Sequence, residues 1–293
     1  MIELKDLQIL TSLARHRHFA KAAEDCGISQ PAFSMRLRNL EERVGLSIVR
    51  RANRFQGFTE EGEMIVRRAR RILDDTQALE QEVMATRGEI SGTLVLGVVP
   101  TASAFAGRLV KALHAAHSRI LGRIELMSSD TIQDRLDDGS IDAGVTYGDS
   151  LDRELRVVQP LYDESYVLLV SDQMTTDSGP IPWSDATRYP MSLLEPRMQN
   201  RRILNRIFSD QGLHPQVVAE TSGFTSSIVM AREGIAATVL PRILAESLGP
   251  IEGTVVRPLI EPFVQKPICL VTLDRDPGLP TIAALRAVVD LKS

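Results

Sequence analysis

The stretch from His18 to Arg51 constrains this chain most, because it dictates two short helices joined by a tight turn. Phe19, Ala22, Ala23 and Cys26 recur at spacings of three and four, so they share one face of a helix. Gly27 comes next and supplies the backbone freedom that a sharp turn needs. Ser29 can then cap a second helix, and Pro31 suits its first turn, where a missing N–H costs nothing. Phe33, Leu37, Leu40 and Val44 form the inward stripe of that helix. Its other face carries Gln30, Ser34, Met35, Arg38 and Asn39, with Arg36 at the edge. Gln and Asn pair bidentately with adenine, Arg with guanine, and Ser with bases or phosphates. Arg50, Arg51 and Arg54 make a basic cluster suited to backbone phosphates. The pattern points to a helix that enters a DNA groove. A small helical bundle with a solvated charged face is the competing reading.

Charge distribution favours the first. Residues 1–58 hold ten Lys/Arg against six Asp/Glu, whereas the remainder holds 24 against 32, within a net charge of −4. A basic head on an acidic body fits local docking better than uniform coating of nucleic acid. At 293 residues the chain suggests two or three domains, and its 43% hydrophobic and 25% charged content is that of a globular protein. Neither a secretion signal nor a long apolar run is seen, so a cytoplasmic location and no membrane partner are expected.

Beyond the basic cluster, Thr59 can cap a long helix reaching about Arg87. Ile65, Ala69, Ile72, Thr76, Leu79 and Val83 repeat in heptad spacing, a seam that buries poorly on its own monomer and well against a second helix. An ordinary amphipathic helix on one domain is the plainer alternative. Arg87–Gly92 reads as a hinge. Short apolar strands then alternate with helices: strands at Thr93–Val99, Arg123–Met127, Ile141–Thr146, Ser165–Val170, Met191–Leu194, Gln216–Ala219, Ile235–Leu240 and Pro267–Leu273. Helices are expected at Ala102–His117, Thr131–Asp138, Asn200–Gln211, Gly223–Arg232 and Thr281–Leu291. Such alternation implies mostly parallel sheets flanked by helices.

The segment AAEDCGISQPAFSMRLRNLEERVGLSIVRR resembles the N-terminal winged helix-turn-helix of LysR-type transcriptional regulators. Shared elements are Ala22-Ala23, Ser29-Gln30-Pro31-Ala32, Ser34, Leu40-Glu41, Gly45-Leu46, Arg50-Arg51 and Thr59-Glu60-Glu61-Gly62. Departures are Phe33 for a smaller apolar residue, Met35 where a long polar side chain is usual, and His18 where Ser or Thr is common. The resemblance implies a DNA-binding domain over 1–58, with a recognition helix at about Gln30 to Arg43, and a dimerisation linker helix and hinge over 59–90. It also implies an effector-binding domain over 91–293, made of two α/β subdomains of periplasmic-binding-protein type. The first would be about 92–162 with 267–293, the second about 163–266. The implied DNA contacts are Gln30, Pro31, Ser34, Met35, Arg36, Arg38, Asn39, Arg50, Arg51 and Arg54.

In α/β sheets ligands gather at the carboxyl ends of strands and at helix N-termini. The junctions Val99–Ser103, Ser128–Thr131 and Thr146-Tyr147 are such places, facing Pro196-Arg197 and Thr221–Thr225. Family effector pockets are built from these positions, which implies Thr101, Ala102, Ser103, Ser129, Thr146, Tyr147, Arg197, Phe224 and Thr225. Arg197 and Arg201 favour a carboxylate or other small anion, unless they pair with acidic neighbours. The run Leu213–Glu220 is similar to the corresponding part of cyanate-type members, too short to name an effector.

Cys26 and Cys269 are the two cysteines, one in each module, so a sensing-domain cysteine pair is lacking and redox sensing is disfavoured. His114 and His117 lack further ligands, so neither a metal nor a cofactor is expected. Neither a nucleophile elbow, a phosphate loop nor HExxH is present, which disfavours an enzyme. The expected protein is a homo-oligomer, dimer or tetramer, that binds double-stranded promoter DNA under control of a small-molecule effector. A solute-binding protein with an added helical head is the alternative.

Overall fold

A computed structural model of the chain describes residues 1–50, 55–85, 90–151, 156–274 and 278–290. These form two compact units, one built on Met1–Ile90 and the other on most of the chain from Ser91 onward. In the first unit α1 (Leu4–His16), α2 (Phe19–Asp25) and α3 (Gln30–Val44) surround a core of Leu10, Leu13, Ala22, Phe33, Leu37, Leu40, Ile48 and Phe58. An antiparallel bridge pairs Val49 with Phe58 after α3. The long α4 (Glu60–Ala85) starts where the Thr59 hydroxyl accepts the Gly62 N–H at 2.9 Å. Gly62 is required there, since a Cβ would lie 2.0 Å from the Ile48 carbonyl oxygen. Val66 and Ile65 pack onto the core of the head, while Ile72, Leu79 and Val83 further along the seam are exposed. The anticipated hinge at Arg87–Glu89 falls outside the described residues.

The second unit runs β1 (Gly92–Val98), α5 (Ser103–Ala116), β2 (Ile120–Leu126), α6 (Ser129–Asp137), β3 (Ala143–Tyr147) and β4 (Arg156–Glu164). It continues with β5 (Tyr166–Ser171), β6 (Ile181–Pro182), α7 (Trp183–Ala186), β7 (Met191–Leu194), α8 (Gln199–Asp210) and β8 (Val217–Thr221). Last come α9 (Phe224–Arg232), β9 (Thr238–Pro241), α10 (Arg242–Leu248), β10 (Thr254–Ile260), β11 (Lys266–Leu273) and α11 (Pro280–Asp290). One five-stranded sheet has the order β2-β1-β3-β11-β4; a four-stranded sheet has the order β6-β10-β5-β9, and β7 pairs with β8. The chain passes from the first sheet to the second at Ser165, between β4 and β5, and returns between β10 and β11.

Mostly parallel sheets were expected, and that expectation is corrected. β1 runs parallel to β2 and β3, but β11 is antiparallel to β3 and β4, and β5 is antiparallel to both its neighbours. The strands that run against their sheets are β11 and β5, and their partners β4 and β10 are strands that the apolar pattern did not mark. These two each carry a proline, Pro160 or Pro258, and β4 is bulged where Pro160 lacks an N–H to give.

Trp183, buried at the start of α7, donates from Nε1 to the Pro262 carbonyl oxygen at 3.0 Å. It stands edge-on to Tyr166 and Phe208, with centroids 6.3 and 5.9 Å away. Among the described residues no helix is long and apolar enough to cross a membrane.

Candidate DNA-reading face and effector cleft

Helix α3 is fixed at both ends. The Ser29 hydroxyl accepts the Ala32 N–H at 3.4 Å, Pro31 fills the first turn, and Gly45 ends the helix in the left-handed region at φ 70°. Phe33, Leu37 and Leu40 are buried, which turns Gln30, Pro31, Met35, Arg38 and Asn39 outward and leaves Ser34 half-buried beside them. Met35 is 64% exposed in the middle of that face. Arg50 is exposed beyond the helix, while Arg51 and Arg54 lie outside the described residues.

Arg36, at the edge of this face, is engaged by carboxylates. Its Nε binds Asp6 Oδ1 at 2.9 Å and its Nη2 binds Glu3 Oε2 at 2.6 Å. Arg43, two turns on, binds the other Asp6 oxygen. Asp6 is fully buried and also accepts the Glu3 N–H at 3.0 Å, closing a capping box on α1. The cause is simple: an acidic first turn of α1 lies under the edge of α3 and takes its guanidiniums. The pattern Glu3-x-x-Asp6 signalled the cap, but nothing local linked it to arginines 30 and 37 positions away. Glu41, also buried, accepts the Ile48 and Val49 N–H groups at 2.7 and 3.2 Å and so ties the end of α3 to the bridge strand.

At the carboxyl ends of β1 and β3 the structure gathers four of the expected effector residues. The Tyr147 hydroxyl lies 3.1 Å from Thr101 Oγ1, and Thr146 Oγ1 donates to Ser129 Oγ at 2.9 Å. All four are buried. Free N–H groups at Ala102 and Ser103 are not found: each is bonded, to the Val99 and Pro100 carbonyls respectively, because Pro100–Ala102 coils into one tight turn. Ala104, next along α5, packs against the cluster that holds Phe224, Leu194 and Met198. Thr225 is exposed beside Phe224.

The expected cations are already matched. Arg197 is 71% exposed and binds Glu195 at 2.6 Å. Arg201 reaches the Leu194 carbonyl at 2.8 Å and Glu220 at 3.0 Å. Arg202 of α8 binds Asp130 of α6 at 2.9 Å, joining the two halves of the unit.

The residue that the sequence did not flag is Glu164, the last of β4. It is 1% exposed, and its Oε1 accepts the Tyr147 hydroxyl at 2.6 Å. Burial pushes its carboxyl up to about 7, against the smaller downward pull of the surrounding Tyr147, Tyr166 and Thr101 hydroxyls. Burial and the Glu164 carboxylate in turn raise the phenols of Tyr147, Tyr162 and Tyr166. A signal was available: the chain has four tyrosines, and three of them surround this one acid.

Comparison with known proteins places the two units in one family. The LysR substrate binding domain matches residues 87–291, and the bacterial regulatory helix-turn-helix domain of the lysR family matches residues 4–63. The DNA-binding transcriptional dual regulator OxyR of Escherichia coli is 27% identical over 277 residues, 92% of this chain and 89% of the relative. The HTH-type transcriptional regulator CfxR of Cupriavidus necator is 29% identical over 239 residues, 80% and 74% of the two chains. A full-length OxyR variant from Pseudomonas aeruginosa superposes with a TM-score of 0.74 at 22% identity, covering 99% of this chain and 97% of the other. Full-length CbnR complexed with its target DNA gives 0.70 at 18% identity, covering 100% of both.

Proposed function

Because the chain belongs to the LysR family of bacterial transcription regulators, we propose that Gln30, Ser34, Arg38 and Asn39 read promoter bases. It is a DNA-binding regulator that responds to a small-molecule effector, as its family does. The observation that carries the reading face is the outward row on α3, set by a buried stripe and two firm caps. Met35 contributes an apolar surface suited to a thymine methyl, and Arg50, Arg51 and Arg54 serve the phosphates. Arg36 is left to its carboxylates. The exposed seam of α4 supports pairing of two heads, dimer or tetramer, over a site with half-sites spaced by whole turns of DNA.

The effector is placed in the cleft floored by Thr101, Ser129, Thr146 and Tyr147 and walled by Phe224. A preference for anions has little support, since Arg197 and Arg201 are committed to Glu195 and Glu220. Several relatives are named as hydrogen peroxide-inducible genes activators. That mode is not adopted for this chain. Cys269 is the single cysteine after residue 90, so a disulfide within the second unit has no second thiol. No catalytic role and a cytoplasmic location complete the proposal.

A gel-shift series on the gene's upstream region tests the reading face. Arg38→Ala and Ser34→Ala are expected to lower selective binding, with Arg38→Ala costing about 1–3 kcal/mol at its base. Selective binding untouched by both substitutions rejects the face.

A further inference from the structure

Glu164 is buried behind Tyr147, one of the expected effector residues, and its own hydrogen bonding is incomplete. One oxygen is bonded to Tyr147, whereas Oε2 and the hydroxyls of Tyr162 and Tyr166 are buried without a hydrogen bond of good geometry, although Tyr166 lies near enough to Glu164 to pull its carboxyl down. No salt bridge reaches this carboxyl among the described residues, and the cations on the surrounding elements are engaged elsewhere. Lys266, its cross-strand neighbour on β11, binds Asp149 at 2.8 Å. Arg108 of α5 donates to Ser247 Oγ at 2.6 Å, and Arg242 of α10 donates to Ser165 Oγ at 3.2 Å. The other groups facing Glu164 are neutral: Thr101 before α5 and the phenols of β3, β4 and β5. A buried carboxylate without a counter-charge is costly, and orphaned polar atoms in a folded interior call for a partner. A ligand bearing N–H donors on a positive group satisfies both demands at once.

We propose that Glu164, helped by the Tyr162 and Tyr166 hydroxyl oxygens, is the acceptor for an ammonium or similar cationic N–H group of the effector. The effector is then a small amine and not a simple carboxylate. This rests on the placement of the effector in the cleft floored by Thr101, Ser129, Thr146 and Tyr147. The bond is a charge-assisted one, strengthened by its dry surroundings. A proton competes for the same oxygen, since the carboxyl titrates near about 7. Binding of an alkylammonium therefore tightens as pH rises through that value.

The test uses the full chain and minimal probes: methylammonium and ethylammonium, tetramethylammonium as an equally charged cation without N–H, and acetate and glycerol, all at one ionic strength. At pH 8 the two N–H cations should raise the melting temperature by a few degrees when present well above their Kd, and tetramethylammonium should not. Their apparent Kd should be about tenfold weaker at pH 6 than at pH 8. Glu164→Gln should erase both differences. Equal responses to methylammonium and tetramethylammonium, or an N–H preference that survives in Glu164→Gln, overturn the proposal. If that variant fails to fold, the natural chain decides, and equal affinity at pH 6 and pH 8 overturns it. A response to acetate or glycerol that Tyr147→Phe abolishes, with none to the alkylammoniums, overturns the role of Glu164 but leaves the cleft standing. Silence from every probe overturns both.

Discussion

Asp6 holds two guanidiniums drawn from one helix, Arg36 and Arg43, while Glu3 takes hold of Arg36 a second time. Both arginines would otherwise add to the attraction between α3 and any phosphate backbone, whatever its sequence. Their capture leaves Arg38 as the exposed cation within the outward row of α3, so discrimination gains at the expense of general stickiness. Asp6→Asn is expected to free them. The slope of log affinity against log salt should steepen by up to about 1.8, from two further phosphate contacts, and binding to unrelated DNA should rise. An unchanged slope would mean that both arginines already leave Asp6 when DNA is bound. The same substitution should lower stability by about 1–3 kcal/mol, because the guanidiniums lose a buried partner.

Among the elements, α4 and β4 have separate consequences. On α4, Leu79 is 61% exposed in line with Ile72, so neither is holding its own subunit together. Leu79→Glu should change the folding stability of the head by less than about 0.5 kcal/mol yet shift the oligomer towards monomer in sedimentation velocity. An oligomer unaffected by it would remove α4 from the pairing surface. On β4, Glu164 has a folded value of about 7 above the ordinary 4.5, so the folded chain binds the proton more tightly. Its contribution is complete below about 4.5 and is lost as pH rises through about 7. Urea midpoints should accordingly fall between pH 5 and pH 8, and Glu164→Gln should flatten that fall; parallel profiles would refute it. β4 itself was hard to read in the sequence, as was β10. Arg156–Glu164 mixes polar residues and Pro160 into a sheet-edge strand, so neither alternation nor a continuous apolar run marks it. β1 and β3 lie inside their sheet, where Leu94, Leu96, Val98 and Val145 are buried, and their apolar runs were plain.

Across the whole molecule, the features legible in the sequence are those that depend on near neighbours. The α3 stripe, its Ser29 and Gly45 caps and the start of α4 at Thr59 all lie within a few residues of their causes. The pairs that decide charge and chemistry do not: Asp6 with Arg43 spans 37 positions, Tyr147 with Thr101 spans 46, and Trp183 with Pro262 spans 79. Strand-end position and the family resemblance pointed to Thr101, Ser129, Thr146 and Tyr147, yet neither could say that Arg197 and Arg201 were already neutralised. The contact between Trp183 and Pro262 has a practical consequence. Trp183 is the chain's single tryptophan, with its indole N–H on Pro262 near one passage between the sheets and its ring edge-on to Tyr166 at the other. Its emission is therefore an intrinsic fluorescent gauge of both passages, and any relative movement of the two sheets will be seen as a change in colour or intensity without a label.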